Sequence, residues 1–233
     1  MLHTETVKAE DLALIKQLMR DRELENFQLV GGTALSLLIG HRESIDIDLF
    51  SQWAFDAEKL SVHLSKAYQA KDLKFIKNGI FCFINDVKVD ILTHDYQRID
   101  FIQELEDVRM ESLKDLGAMK LNAIVNSGAR LKDFVDMYFI LEHGPLEQFL
   151  EAYEKKYPEL NRTMAKAALR YHDDIKPATI TFMGTPITLP EMAQRFNEAV
   201  LDPHKTFDLT PLPEQSQSKE QNQSRGKGFG YKR

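Results

Sequence analysis

GGTALSLLIGHRESIDIDLF, residues 31–50, decides the fold. FQLV before it (Phe27 to Val30) reads as a short buried strand that stops at Gly31 and Gly32, and Thr33 opens an apolar helix that ends at Gly40. HRES turns the chain, and SIDIDLF alternates as a strand, with Ile45, Ile47 and Leu49 on one side and Ser44, Asp46, Asp48 and Phe50 on the other. Two carboxylates at i and i+2 on one strand face stand about 7 Å apart. Inside a sheet they repel one another and resist desolvation. Magnesium or manganese resolves that conflict, since both prefer carboxylate oxygens, and two such ions about 3.5 to 4 Å apart are bridged by such a pair. A solvated face of an edge strand would account for the acids without any metal. Twelve residues separate Thr33 from Asp46, room for one short helix and a turn before the chain returns beside its first strand. The glycines and the helix N-terminus, whose N–H groups suit an anion, would then face the same pocket as the acids. A metal-bound triphosphate fits that combination.

Outward from this segment, residues 9–20 carry helical apolar spacing, as does the stretch around Ala57 to Ala70. LKFIKNGIFCFINDVKVDIL, residues 73–92, contains three strand-like runs punctuated by Asn78-Gly79 and Asn85-Asp86. The last run sets Val87, Val89 and Ile91 opposite Lys88, Asp90 and Leu92, so Asp90 offers a third carboxylate from a second strand. From Glu111 the pattern turns helical, over roughly 111–126, 131–142, 145–156, 160–172 and 190–200. The expected class is α+β: an α/β part over residues 1–100, a helical part over 101–205 and a disordered polar tail over 206–233. Between Lys219 and Arg233 the tail holds five basic residues and one acid, which suits either an RNA contact or a solubilising end.

Composition excludes several classes. With 233 residues, 43% hydrophobic and 28% charged, the chain is neither a fibre nor a disulfide miniprotein. A net charge of −6 argues against adhesion to nucleic acid over the whole surface, so any polyanion contact is local. Cys82 is the single cysteine, which rules out an internal disulfide and suits a buried, inert thiol. No apolar run approaches the roughly 18 residues of a membrane span and the N-terminus lacks an export pattern, so a cytoplasmic protein with no membrane contact is expected.

Later residues add charge at telling places. Lys120 falls on the apolar stripe of Leu113, Leu116, Gly117, Ala123 and Ile124, where an ammonium needs an anion, an acid of the next helix or a route to water. Lys132 and Asp136 stand at i and i+4, the spacing of a helix-surface pair, and Asp133 suits a first-turn acid. Arg130 and Lys132 serve either as helix-end charges or as phosphate or RNA contacts. His41 and Arg42 read either as exposed turn residues or, for Arg42, as a triphosphate ligand. His172, Asp173 and Asp174 point in different directions on a helix and do not suit one ion.

GGTALSLLIGHRESIDIDLF resembles the nucleotidyltransferase superfamily signature, a small-residue pair, a spacer and acid-apolar-acid-apolar on a strand, with Asp90 matching its later strand acid. More narrowly, GHRESIDIDLF, MKLNAIVNSGARLKDFVDMYFIL and ALRYHDDI, in that order over roughly residues 25–200, are similar to the AbiEii/AbiGii toxin family of nucleotidyltransferases. Thr33 stands where serine is more usual, which keeps the hydroxyl. The resemblance implies a nucleotidyltransferase-fold mixed sheet flanked by helices and followed by a helical bundle. It implies two Mg2+ or Mn2+ ions on Asp46, Asp48 and Asp90, and a nucleoside triphosphate against Gly31, Gly32, Thr33 and Arg42. Lys120 would contact its phosphates, and Asp133, with Asp136 as a second candidate, would position Lys120 or the nucleotide. The implied activity moves a nucleoside monophosphate to an acceptor hydroxyl, as the toxin of a toxin–antitoxin or phage-defence pair acting on tRNA 3′ ends, with a cognate antitoxin as partner. Transfer to a protein or a small molecule, and a catalytically idle nucleotide-binding or antitoxin-like module, are the alternatives.

Overall fold

A computed structural model describes residues 1–207; the basic segment from Lys219 onward lies outside the described residues. Helix α1 (Ala9–Arg20) leads into strand β1 (Gln28–Val30) and helix α2 (Gly31–Ile39), and β2 (Ile47–Ser51) returns antiparallel to β1, pairing Val30 with Asp48. Gly40 closes α2 in the left-handed region at φ 67°, as expected of a glycine just past a helix end. Helix α3 (Ala57–Tyr68) precedes a meander of β3 (Lys71–Ile76), β4 (Gly79–Ile84) and β5 (Val87–Thr93). Asn85 and Asp86 take positive φ in the tight turn between β4 and β5, conformations that Asn and Asp tolerate better than most residues. β5 runs parallel to β2, so the acidic strand lies centrally in a mixed sheet ordered β3-β4-β5-β2-β1-β7-β6.

The sheet does not end near residue 100: β6 (Gln103–Leu105) and β7 (Val108–Met110) form a hairpin whose second strand lies parallel to β1, with Leu29 opposite Met110. Three-residue strands are too short to show alternation, and their turn is made by Glu106 and Asp107 at positive φ rather than by a glycine pair. The acidic strand begins at Ile47 rather than at Ser44. The Glu43 N–H is bound by the Thr181 carbonyl (2.8 Å) and the Ser44 N–H by the Thr6 carbonyl (3.1 Å), so this backbone serves other segments before it reaches the sheet. Ile45 is therefore 54% exposed rather than facing the core, and Asp46 lies on the approach loop.

Helices α4 (Leu113–Ser127), α5 (Leu131–Ile140), α6 (Leu146–Lys156), α7 (Arg162–Leu169) and α8 (Leu189–Leu201) follow, close to the spans the periodicity predicts. Their apolar faces join the sheet in one continuous core that includes Leu29, Leu35, Leu49, Phe134, Phe149 and Phe196. Gly117 lets α4 approach α6, because a Cβ there would collide with the Phe149 ring. A buried ion pair also crosses these helices. Lys156 Nζ of α6 meets Asp115 Oδ1 of α4 at 2.7 Å, and the same carboxylate accepts the backbone N–H groups of Ile99 and Asp100. Cys82 is buried in the core, as its apolar flanks suggest.

Candidate active site

The α2 N-terminus, the N-terminal end of β2, helix α4 and the start of α5 converge on a cleft of about 660 Å³. That volume falls within the range of small-molecule sites. Gly32, Arg42, Asp46, Asp48, Lys120 and Asp133 all line it. Its outer wall is an extended segment missed in the sequence, tied down by hydrogen bonds from Lys176 N to the Ala129 carbonyl (2.9 Å) and from Met183 N to the His41 carbonyl (3.1 Å).

Asp48 and Asp90 stand directly opposite one another in the parallel pairing of β2 and β5. Burial pushes the Asp48 carboxyl up to about 6, the Asp90 carboxylate adds to the rise, and Lys120 and Lys88 oppose it. Asp90 Oδ2 receives Lys88 Nζ at 2.5 Å, while its Oδ1 is buried without a hydrogen-bond partner among the described residues. Asp46 is exposed at the cleft.

Gly31 takes φ 71°, and a Cβ on it would strike Asp48 Oδ2; a Cβ on Gly32 would strike Arg42 Nη2. The two glycines thus make room for a carboxylate and a guanidinium of the protein itself, with Gly32 alone of the pair lining the cleft. Thr33 is 1% exposed, and its hydroxyl bonds the Asp46 carbonyl and lies 3.0 Å from Ser44 Oγ. It therefore anchors the acidic loop from behind rather than facing a ligand, and Ser44, which the sequence reading left unassigned, supplies the hydroxyl residue at the cleft.

Lys120 Nζ lies 2.9 Å from Asp133 Oδ1 and 2.6 Å from Asp136 Oδ2. Burial alone would favour the neutral amine, but Asp136 and Asp133 hold Lys120 above the usual lysine range. Asp136 is not the partner of Lys132 on a helix surface. It is fully buried and takes Arg42 in a bidentate pair (Nε to Oδ1 2.6 Å, Nη2 to Oδ2 3.0 Å) and His41 Nε2 at 2.8 Å. Burial would raise its carboxyl, yet Lys120, Arg42 and His41 hold it well below the usual carboxylate range. His41 and Arg42 are accordingly buried rather than exposed turn residues, and burial keeps His41 below the ordinary histidine range. Arg130 Nε reaches Asp133 Oδ2 at 2.8 Å, and the exposed Lys132 and Lys176 bring further positive charge to the rim.

Asp48 and Asp90 form a donor set that hard divalent cations prefer, and the unpartnered, buried Asp90 Oδ1 fits such an ion. Asp46 does not close a three-ligand cluster, and among the described residues no three carboxylate, imidazole or thiol groups are gathered tightly enough to hold an ion by themselves. His172 packs against Phe134 and Phe196 instead of joining Asp173 and Asp174. Among the described residues no helix is long and apolar enough to cross a membrane.

The match to a family of known class shows the chain to be a nucleotidyltransferase. Residues 13–211 match the AbiEii family, described as "Nucleotidyl transferase AbiEii toxin, Type IV TA system", and the chain belongs to that family. An uncharacterized protein of Aquifex aeolicus is 28% identical over 157 residues, 65% of this chain and 76% of that protein. Among solved structures, JHP933 from Helicobacter pylori is similar with a TM-score of 0.50 and 17% identity, over 85% of this chain and 93% of that one. An antigenic nucleotidyltransferase-like protein from Paracoccidioides brasiliensis is similar with a TM-score of 0.44 and 18% identity, over 69% of this chain and 94% of that one.

Proposed function

We propose that this nucleotidyltransferase moves a nucleoside monophosphate from a nucleoside triphosphate to a hydroxyl at the 3′ end of tRNA, as the toxin of a cytoplasmic toxin–antitoxin or phage-defence pair with a cognate antitoxin as its partner. The observation that carries the reading is the Asp48–Asp90 pair, two facing carboxylates set beside a cleft with an ammonium on its wall. Exposed Lys132 and Lys176 at the rim favour a polyanionic acceptor over a neutral metabolite.

Asp48 and Asp90 would hold the divalent ions, and the exposed Asp46 would join them only through a movement of its loop. Magnesium or manganese bound there would polarise the α-phosphate and offset charge on the departing pyrophosphate. Gly32 and Ser44 line the cleft where α2 begins, and a helix N-terminus favours a phosphate. Lys120 adds positive charge to the phosphate-facing wall, and its two acids fix its direction. The acceptor hydroxyl attacks the α-phosphorus, the bond from that phosphorus to the bridging oxygen breaks, and pyrophosphate leaves. The hydroxyl proton passes to the Asp90 carboxylate. The protein forms no covalent intermediate, so alignment and charge stabilisation carry the catalysis.

Incubation of the protein with each α-labelled nucleoside triphosphate, Mg2+ and total tRNA tests the reading. Label in tRNA supports it. Label in a protein or a small molecule moves the acceptor to that class, and no label with any triphosphate contradicts transferase activity.

A further inference from the structure

The sheet face that carries the acids continues outward past the cleft. Directly paired residues share a face, so the register defines a row running Asp48, Asp90, Phe81, Lys74 from β2 to β3. A second row beside it runs Lys88, Phe83, Lys71. On the opposite face Ile80, Cys82, Ile84, Val89 and Ile91 are buried in the core. The acid-bearing face is open: Phe83 is 39% exposed, Lys71, Lys74 and Lys88 are exposed, and Phe81 is half-buried. Two aromatic rings on an open sheet, each flanked by lysine, are an unusual outer surface for strands that bury Ile80, Cys82, Ile84, Val89 and Ile91 on the other side.

Resting on the transferase reading above, we infer that this face is the path of the acceptor, a single-stranded RNA 3′ end lying across β3, β4 and β5 with its terminal hydroxyl at Asp48 and Asp90. Charge complementarity and continuity with the acids select this occupant. Phe81 and Phe83 present π-faces on which unpaired bases stack, a contact that a duplex, with its bases already stacked, cannot use. Lys74 makes no ion pair among the described residues, and Lys71 has only the solvent-exposed Asp86 at 3.8 Å, a partner readily exchanged for a phosphate. Lys88 bridges surface and reaction centre, since its ammonium already sits on Asp90. Asp48 and Asp90 lie on this face by register, Asp46 lines the cleft beside them and Asp86 meets Lys71 in a turn, so three of these four acids belong to the end where the hydroxyl must arrive. Three strand spacings of about 4.8 Å give the path a length of about 14 Å.

The test measures binding apart from chemistry. A fluorescent single-stranded RNA dodecamer is titrated with the full chain, wild type and with Phe83→Ala, Lys74→Glu or Lys66→Glu, the last being a charge reversal on exposed α3 away from this face. Phe83→Ala and Lys74→Glu are expected to weaken RNA binding on the order of tenfold each, and to raise the KM for the RNA acceptor while leaving the KM for the triphosphate unchanged. Lys66→Glu is expected to leave both unchanged, and a blunt duplex of the same sequence to bind about tenfold more weakly. All these positions are exposed, and unchanged thermal melting confirms the fold. A wild type that labels RNA while both variants bind and turn over normally overturns the path and leaves the transferase reading standing. A wild type whose RNA binding depends on Phe83 and Lys74 but which transfers no label upholds the surface and removes the reaction. Equal affinity for duplex overturns the stacking role.

Discussion

Asp48 and Asp90 face each other across two parallel strands, and the first of them is pushed up to about 6 by burial and by the second. An unfolded aspartate titrates near 4. A raised folded value means that Asp48 favours the fold most when protonated, and that this contribution is lost as pH rises through about 6. The metal-free protein is therefore expected to gain thermal stability through Asp48→Asn at pH 7.5, by about 1–2 kcal/mol after allowance for solvent, and to gain little at pH 4. Melting curves at the two pH values check this.

Divalent cations act on the same pair. Mg2+ or Mn2+ is expected to raise the melting temperature of the wild type at pH 7.5 and to lose that effect as pH falls below 6, where Asp48 takes a proton instead. Asp48→Asn is expected to abolish the shift at every pH. A shift that persists unchanged in the variant would place the cation elsewhere.

Asp136 ties Lys120, Arg42 and His41 together inside the protein. Its carboxyl is held well below the usual range, so its contribution is complete above about pH 4 and is lost only as pH falls through that depressed value. Asp136→Asn leaves two buried cations undercompensated and is expected to cost about 3–5 kcal/mol in urea denaturation at pH 7. Asp133→Asn is expected to cost less, since one of Asp133's partners, Arg130, is exposed, and to act chiefly on transfer rate through the direction of Lys120.

The Thr33 hydroxyl anchors the loop that carries Asp46. Thr33→Ser keeps the donor and is expected to retain most activity, whereas Thr33→Val leaves the Asp46 carbonyl unbound and is expected to lower transfer about tenfold. Gly31→Ala combines a positive φ with a Cβ against Asp48 Oδ2, and its transfer rate is expected to fall further than its stability.

The alternation around Asp48 and Asp90 was legible because a strand buried on one face forces a period of two, and the resulting register sets the two acids opposite each other. Asp46 was legible as an acid of the site but not as a loop residue, because the contacts that draw its loop off the sheet come from Thr6 and Thr181, far away in sequence. Asp136 was left open between a helix-surface pair and an acid on Lys120 for a different reason. Spacing of i and i+4 identifies neighbours on a helix without telling which face is buried, and α5 buries Phe134, Val135, Met137 and Ile140 almost all round. An acid amid such a run signals a buried partner more than a surface one. Gly31 and Gly32 were legible as positions of close approach, but sequence could not show that the approaching groups are Asp48 and Arg42.

Transfer from an α-labelled triphosphate to tRNA, compared between the wild type and Asp48→Asn under matched folding and Mg2+, bears most directly on the facing carboxylates as the reaction centre. Labelled tRNA from the wild type and a rate lowered on the order of 10²–10³-fold or more in the variant are expected. Equal labelling by the two proteins would contradict the assignment.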